Sequence, residues 1–255
     1  MQLIVNADDF GKSEDVNRAI SECFDKGYID RTTIMMNMPF AEKACEMAKE
    51  KGFFDKVGLH LNLTEGQPLT EGIKNNPLFC DENGQYNAAF YRSTRLRLHM
   101  DRASVNDIYN ELKAQIDKYI EFGFTLNHID SHHHVHTNYP VLKALKSLSR
   151  EYEFKSIRLS RNLYFGGGFL SRKYKEIYNN SVKKICDNTT EYFGSYVDAQ
   201  NYRNEINKTD ASAFKKFTNE HSLEVMVHPM YSLDGVLVDT EVPFEEEILL
   251  YEAIR

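Results

Sequence analysis

Residues 127–136 read NHIDSHHHVH and contain five of the nine histidines of this 255-residue chain. Two other fragments give that stretch its meaning, NADDFG at residues 6–11 and GLHLNL at residues 58–63. Each of the three lies at the end of an apolar run that is typical of a β-strand. Carboxylate and imidazole groups at several strand ends predict a divalent metal site, with a second carboxylate left free for proton transfer.

The composition is that of a soluble globular chain, with 42% hydrophobic and 27% charged residues. The net charge of −7 argues against a nucleic-acid partner, because such proteins usually carry a basic surface. No apolar run approaches the roughly 20 residues that cross a bilayer, and the strand-like start of the chain predicts no signal peptide. Four scattered cysteines without a C-x-x-C pair indicate reduced thiols. We therefore expect a cytoplasmic protein with neither a membrane nor a nucleic-acid partner.

Apolar runs alternate with helical stretches, which is typical of parallel strands joined by right-handed crossovers. The predicted fold is α/β, a distorted (β/α) TIM-like barrel that is either complete or short of its last element at the C-terminus. One domain is expected over residues 1–255, since α/β barrels commonly reach this length. The predicted strands are Leu3–Ala7, Thr32–Met36, Val57–Leu63, His128–Ser131, Ser156–Leu159, Thr189–Phe193 and Leu223–Val227.

Helix signals lie between these strands. Ser13 is a predicted N-cap and Gly27 a predicted helix end, and Ser104 with Asp107 resembles a capping box. Residues 64–99 are rich in Gly, Pro, Asn and Asp and have no period, so we expect a long insertion loop that shapes a binding site. The predicted helices cover about residues 13–26, 39–51, 104–122, 141–152, 173–186 and 211–220, with a flexible turn at 166–168.

Asp8 and Asp9 are adjacent acids directly after the first strand. Two ionised carboxylates in a dry site repel each other, and a bound cation removes that repulsion while one acid ligates and the other acts as a base. The alternative is an acidic pair in a turn or helix start. His60, among leucines on the third strand, is either a ligand or a hydrogen-bonded core residue. Asn62 either binds substrate or ends that strand.

The histidine-rich stretch is harder to explain as an ordinary surface. Alternate side chains share one face of an extended backbone, so His128, Asp130, His132, His134 and His136 would point the same way if the chain stayed extended. We expect one or two of them to bind metal and Asp130 to orient a histidine through its second ring nitrogen. The chain has neither the H-E-x-x-H helix motif of zincins nor the cysteine ligands of zinc fingers.

His228 ends the last predicted strand and is a candidate general acid, because the pKa of imidazole lies near working pH. A turn residue at a strand end is the alternative. Arg158, in the fifth predicted strand, either binds a polar substrate group or lies on the surface. The patterns G-x-S-x-G, P-loop and G-x-G-x-x-G are absent, which argues against a serine hydrolase, an NTPase and a dinucleotide enzyme.

The fragments NADDFG (6–11), GLHLNLT (58–64) and HIDSHHHVH (128–136) resemble, in order and spacing, the signatures of the YdjC-like carbohydrate deacetylases, the chitooligosaccharide deacetylase family. TTEYFG (189–194) and VMVHP (225–229) resemble later family segments. The resemblance implies a distorted (β/α) barrel that removes N-acetyl groups from amino sugars with one divalent metal ion. By position it implies that Asp9, His60 and His132 are metal ligands. It also implies that Asp8 is the catalytic base and His228 the catalytic acid.

The family implies Mg²⁺, whereas two imidazole ligands favour Zn²⁺ on ligand softness. The expected substrate is an acetylated amino sugar or a chitooligosaccharide, and a homodimer is expected. Two departures from the family pattern are Met230 after His-Pro and the early end of the chain. A metal-dependent phosphoesterase or sugar isomerase on the same barrel is the enzymatic alternative, and a non-catalytic metal-bound sugar-binding protein is the third. The expected substrate contacts are Asn62, Asp130, His134 and Arg158.

Overall fold

The computed structural model describes residues 3–163, 168–186 and 188–242. Most of the turn predicted at 166–168 lies outside these residues, and so does the end of the chain, 243–255, where a last barrel element was in question. Among the described residues, no helix is long and apolar enough to cross a membrane.

The described part of the chain forms eight short strands. The first six in chain order form one parallel sheet, and the last two form a separate antiparallel hairpin. Their bounds are β1 Leu3–Phe10, β2 Arg31–Ile34, β3 Val57–Leu61, β4 Ile129–Ser131, β5 Tyr192–Ser195, β6 Leu223–Val227, β7 Pro229–Tyr231 and β8 Leu237–Asp239.

The order of strands in the large sheet is β4-β3-β2-β1-β6-β5, so β1 lies at its centre. The register of β1 with β6 pairs Leu3 with Leu223 and Ala7 with Val227. Helices connect the strands on the outside, and strands that are covered on both faces are apolar almost throughout. This is why β6 reads LEVMV, with a single charged residue that the site explains below.

The two edge strands, β4 and β5, contact one and the same segment, residues 156–163. Ile157 forms a parallel bridge with Ile129 of β4, and the Asn162 amide donates to the Phe193 carbonyl of β5 at 3.0 Å. The strand predicted at Ser156–Leu159 is reduced to that single bridge, because β4 is only three residues long and leaves it little to pair with. The sheet thus curls into a half-barrel, which confirms the predicted α/β barrel-like fold.

Helices lie between and beyond the strands, together with two 3₁₀ segments. The 3₁₀ segments are Phe54–Lys56 and His132–Thr137. The α-helices are α1 Glu14–Asp25, α2 Ala41–Glu50, α3 Glu71–Lys74, α4 Ala89–Arg92, α5 Thr94–Leu98, α6 Arg102–Glu121, α7 Tyr139–Leu148, α8 Phe169–Val182, α9 Tyr196–Ile206 and α10 Ala213–Glu220.

Side-chain caps set where the helices begin. The Ser13 hydroxyl accepts from the Val16 amide at 3.2 Å, as the sequence predicts for α1. The prediction for α6 was wrong at its start, because Asp101 and not Ser104 is the N-cap: its Oδ1 accepts from the Ser104 amide at 2.8 Å.

The region around β5 differs most from the prediction. The strand begins at Tyr192 and not at Thr189, and α9, which was not predicted, follows it directly. Ser195 and Asp198 form a capping box that ends the strand and begins the helix. The aromatic and β-branched residues on both sides of this box favour strands, which hides the helix start in the sequence.

Segment 64–99 carries the three short helices α3, α4 and α5 and a bridge between Cys80 and Tyr86. The side chains of Ile73, Phe79 and Phe90 are fully buried and belong to the same hydrophobic core as the strands. The segment is therefore packed onto the barrel over much of its length, although its sequence has no regular period.

Candidate active site

The carboxyl ends of the central strands surround a cavity of about 430 Å³. Loops at this end of parallel strands usually carry the catalytic groups. Six of the sequence-predicted residues line the cavity: Asp8, Asp9, His60, His132, His134 and His228. Residues that the sequence did not single out also line it, including Lys12, Tyr91, His133, Arg161 and Glu241.

The backbone at the end of β1 separates the two adjacent acids. Asp9 lies in the left-handed region with a φ of 72°, and the register between β1 and β2 shifts between Ala7 and Phe10. A non-glycine residue in that region costs on the order of 1–3 kcal/mol. The irregularity places Asp8 against the buried Arg158 guanidinium and Asp9 against imidazoles, so neighbouring residues have different surroundings.

Asp9, His60 and His132 form a buried group that could hold a metal ion, with one ligand atom from each all within 4.8 Å of one another. His132 Nδ1 lies 2.8 Å from Asp9 Oδ1, and His60 Nε2 lies 3.3 Å from the same oxygen. Three protein ligands beside an open cavity are typical of a catalytic rather than a structural metal centre.

Each of the two imidazoles also has a carboxylate on its outer nitrogen. His60 Nδ1 lies 2.6 Å from Asp130 Oδ1, and His132 Nε2 lies 2.9 Å from Glu65 Oε2. Metal-binding histidines commonly show this arrangement, because the outer carboxylate fixes the tautomer and the ring orientation. The residues present therefore fit one divalent cation.

Carboxylates dominate the electrostatics of this group. Burial favours the neutral ring of His60, but Asp130 and Asp9 outweigh it and raise the pKa of His60 to about 10. Burial likewise disfavours the Asp9 carboxylate, yet His132 and His60 hold the pKa of Asp9 well below its usual value. A hydrogen bond from His132 lowers the pKa of Glu65 to about 2. The carboxylates are thus anionic, as binding of a cation requires.

Asp8 does not belong to the metal group. Its two carboxylate oxygens accept from the two terminal nitrogens of Arg158 at 2.6 and 2.7 Å, and Asn6 Nδ2 donates to it at 2.7 Å. Asp8 also lines the cavity. A carboxylate held in one orientation beside a candidate metal site is suited to accept a proton.

The sequence model of the YdjC-like protein family matches residues 2–250. The chain belongs to the YdjC-like family. This confirms the family that the three polar fragments indicated. Curated relatives named carbohydrate deacetylase include one from Clostridium beijerinckii, which is 33% identical over 94% of this chain and 85% of that protein. Another from Oceanobacillus iheyensis is 37% identical over 97% of this chain and 93% of that protein.

A solved structure agrees with this assignment. It is that of a protein from Enterococcus faecalis described as a cellobiose-phosphate cleavage protein, and it superposes with a TM-score of 0.66. The two sequences are 25% identical, over 90% of this chain and 81% of that one. The curled half-barrel is therefore shared with another solved protein.

Arg158 of this YdjC-like chain is fully buried beneath the cavity and does not line it. Besides Asp8, it contacts Asp130 through a terminal nitrogen at 2.7 Å and Glu224 through Nε at 2.6 Å. Burial opposes its charge, but these three carboxylates raise the pKa of Arg158 well above its usual value. Glu224, the charged residue of β6, also pairs with Arg31 at 2.7 Å. The structure thus places Arg158, predicted to contact substrate, among buried acids.

The histidine-rich stretch does not stay extended, so the condition under which its alternate residues would share a face is not met. The chain enters a 3₁₀ turn after Ser131, in which His133 and His134 have left-handed φ values of 51° and 54°. As a result His132 and His134 reach the cavity, while His136 turns back to the Ser131 hydroxyl. Burial and then Arg161 lower the pKa of His134 well below its usual value, so this ring is neutral.

Two further predicted substrate contacts also lie away from the cavity lining. Asp130 is fully buried behind His60 and accepts from the Thr33 hydroxyl at 3.0 Å. It orients a histidine in the way that the sequence predicted. Asn62 is buried as well, and its side-chain oxygen accepts from the Thr64 amide at 3.0 Å, so it shapes the turn after β3.

His228 lines the cavity at the end of β6, which lies next to β1 on the side opposite to β2. Its backbone amide donates to Asp239 Oδ2 at 3.0 Å, which anchors it to the β7–β8 hairpin. Within the described residues its Nδ1 is buried and has no hydrogen-bond partner. His228 therefore lines the cavity with one ring nitrogen that is unpaired within the described residues.

Proposed function

We propose that this chain is a metal-dependent hydrolase that removes N-acetyl groups from acetylated amino sugars or chitooligosaccharides. The observation that carries the proposal is the juxtaposition of the Asp9–His60–His132 group with Asp8 in one cavity. The relatives named carbohydrate deacetylase support the reaction and the substrate class.

Asp9, His60 and His132 would hold one divalent cation. Bound there, it would supply Lewis acidity, which lowers the pKa of water and polarises the acetamide carbonyl. Two imidazoles and one carboxylate suit Zn²⁺, and the family resemblance favours Mg²⁺. The metal content of the purified protein decides between them.

Asp8 is the proposed general base. The bidentate pair with Arg158 keeps its carboxylate in one orientation. Oδ1 accepts from both Arg158 and Asn6, whereas Oδ2 accepts from Arg158 and has a second lone pair for the incoming proton. Water that attacks the acetyl carbon gives its proton to Asp8. The left-handed backbone of Asp9 directs its carboxylate to His60 and His132, so Asp9 would bind the metal and not act as the base.

His228 is the proposed general acid. It lines the same cavity as Asp8 but follows β6, which lies next to β1 in the sheet. In protonated form it gives a proton to the nitrogen of the leaving amine, so acetate and a free amino sugar are released. His134, whose ring is neutral, and Tyr91 line the cavity as proposed contacts for the sugar.

Two other groups of buried acids and histidines among the described residues could hold a metal ion, and a phosphoesterase usually needs a second metal. Both of them contain Asp130. That carboxylate is already paired with the Arg158 guanidinium at 2.7 Å and with His60 at 2.6 Å. A second cation would have to displace a buried arginine, so the arrangement favours a single metal and the deacetylase over the phosphoesterase.

Acetate release is the decisive test. Purified protein is given N-acetylglucosamine oligomers, and acetate is measured with the metal content of the same sample. We expect acetate release, about one divalent ion per chain, and loss of both in Asp9→Asn. Two tightly bound ions with phosphate release from a sugar phosphate would favour the phosphoesterase instead. Bound metal and bound sugar without acetate release would favour the non-catalytic alternative.

Chitooligosaccharides as the specific substrate are part of this proposal. The homodimer, the cytoplasmic location and the absence of membrane and nucleic-acid partners stay predictions from the sequence.

A further inference from the structure

Glu65 comes from segment 64–99 and yet contacts a candidate metal ligand. Its Oε2 lies 2.9 Å from His132 Nε2, while the other nitrogen of that ring lies 2.8 Å from Asp9. Both ring nitrogens of His132 therefore face carboxylates. Asp130 stands in the same relation to His60, at 2.6 Å from its outer nitrogen. The symmetry of the two histidines gives Glu65 a role that the sequence alone did not indicate.

The turn that presents Glu65 is firmly built. The side-chain oxygen of Asn62 accepts from the Glu65 amide at 3.1 Å, and its Nδ2 donates to the Glu65 carbonyl at 2.7 Å. Gln115 of α6 in turn holds the Asn62 backbone, accepting from its amide at 2.9 Å and donating to its carbonyl at 2.7 Å. Hydrogen bonds to the barrel thus fix the backbone of Glu65. Glu65 lies three residues after Asn62, which directly follows the strand that carries His60.

Lys12 offsets the charge that Glu65 brings to the site. Its Nζ lies 2.8 Å from Glu65 Oε2 and 3.7 Å from Asp9 Oδ2. Without the Lys12 cation, the Glu65 carboxylate would repel the nearby Asp9 carboxylate. With it, Glu65 is held on the outer nitrogen of His132 and away from the position of a ligand.

We infer that Glu65 is a positioning residue, which fixes the ring and the tautomer of His132 so that Nδ1 turns its lone pair to the metal. The inference rests on the proposed metal site. A carboxylate at Nε2 keeps the proton on that nitrogen and makes the opposite nitrogen a better ligand. Through this one contact, segment 64–99 is part of the metal centre as well as a wall of the cavity.

The test is metal affinity, measured without any substrate. Co²⁺ is titrated into metal-free protein against a competing chelator, and its visible absorption spectrum is recorded. We expect Glu65→Ala to weaken Co²⁺ binding by about 10–100-fold and to change the spectrum. Glu65→Gln keeps an acceptor for the Nε2 proton and is expected to fall between wild type and Glu65→Ala. Glu71→Ala is the matched control, because Glu71 lies in the same segment, is 80% exposed and pairs only with Lys74 among the ion pairs of the described residues.

The outcomes separate the inference from the proposed function. If wild type binds Co²⁺ and both Glu65 variants bind it equally well, the inference is wrong while the metal site stands. If wild type binds no divalent ion, the metal site and the inference fail together. Thermal melting of the metal-free proteins shows whether Glu65→Ala is folded, and if it is not, Glu65→Gln with its predicted intermediate affinity decides.

Discussion

Two polar regions lie back to back at the end of β1, one on each side of the dipeptide Asp8–Asp9. Around Asp8 the charges are buried and closely paired, since Arg158 contacts three carboxylates with side-chain exposures of 2% or less. Around Asp9 the partners are imidazoles beside an open cavity, and left-handed residues shape the backbone. The comparison teaches that tightly paired charges fix geometry in the core, while imidazoles and strained backbone lie where the proposed metal and substrate would enter.

The sharpest way to break this comparison is to neutralise each acid in turn. We expect Asp9→Asn to lose the metal, because it removes the anionic ligand. Asp8→Asn should keep the metal and lower kcat by about 10²–10⁴-fold, because it removes the proton acceptor. Metal stoichiometry and kcat are measured on both variants, with circular dichroism as the control for folding. Retention of the metal by Asp9→Asn with its loss in Asp8→Asn would exchange the two roles.

The second prediction concerns the buried cation. Arg158→Met leaves Asp8, Asp130 and Glu224 without their shared partner and should lower the free energy of unfolding by about 3–5 kcal/mol. Urea denaturation of the metal-free protein measures this. Arg161→Met, which alters a partly exposed arginine at the cavity, is the control and should cost much less. Equal losses of unfolding free energy in the two variants would show that the buried Arg158 cluster is no more important for stability than Arg161 at the cavity.

A third and smaller effect links the metal to stability. A ligand that binds only the folded protein at 100 times its dissociation constant stabilises it by about 2.7 kcal/mol. Adding Zn²⁺ or Mg²⁺ to chelator-treated protein should therefore raise Tm, and the same addition to Asp9→Asn should not. An equal rise in both proteins would place the ion elsewhere.

The smallest predicted effect lies on segment 64–99. Tyr91 lines the cavity, and its ring stacks on His133 with centroids 4.8 Å apart. Tyr91→Ala should raise KM, or change the preferred chain length of the sugar, by an amount that corresponds to about 0.5–1.5 kcal/mol of aromatic contact. Metal affinity should stay unchanged. Tyr139→Ala, at an exposed tyrosine of α7, is the control, and unaltered kinetics on every substrate would refute the role of Tyr91.

Much of the fold and of the site is readable from local sequence. Buried parallel strands are apolar runs, so β1, β3 and β6 could be placed, and polar residues at their ends mark Asp8, Asp9, His60 and His228. Short strands next to strong helix caps were predicted less accurately. The strand predicted at Ser156–Leu159 is a single bridge, because its neighbour ends early.

The partners of the site were harder to predict than the site itself. Glu65 looks like an ordinary loop residue, since nothing local shows that it meets His132 sixty-seven positions later. Arg158 was predicted either to bind a polar substrate group or to lie on the surface, whereas its side chain is fully buried. Its three acidic partners come from β1, β4 and β6, and only the assembled sheet brings them together.

The central position of β1 has a consequence for how the protein is made. β1 and β2 are neighbours in the chain as well as in the sheet, so they can pair early, but the other neighbour of β1, β6, is synthesised only after β5. All three candidate metal ligands have been synthesised once His132 is made, whereas Arg158 and His228 follow later. Pulse-labelling hydrogen exchange would show whether β2 and β3 gain protection before β6, as this order implies. Until Arg158 has been made, Asp8 lacks its buried partner, and the two proposed proton-transfer groups, Asp8 and His228, come together only when β6 pairs with β1.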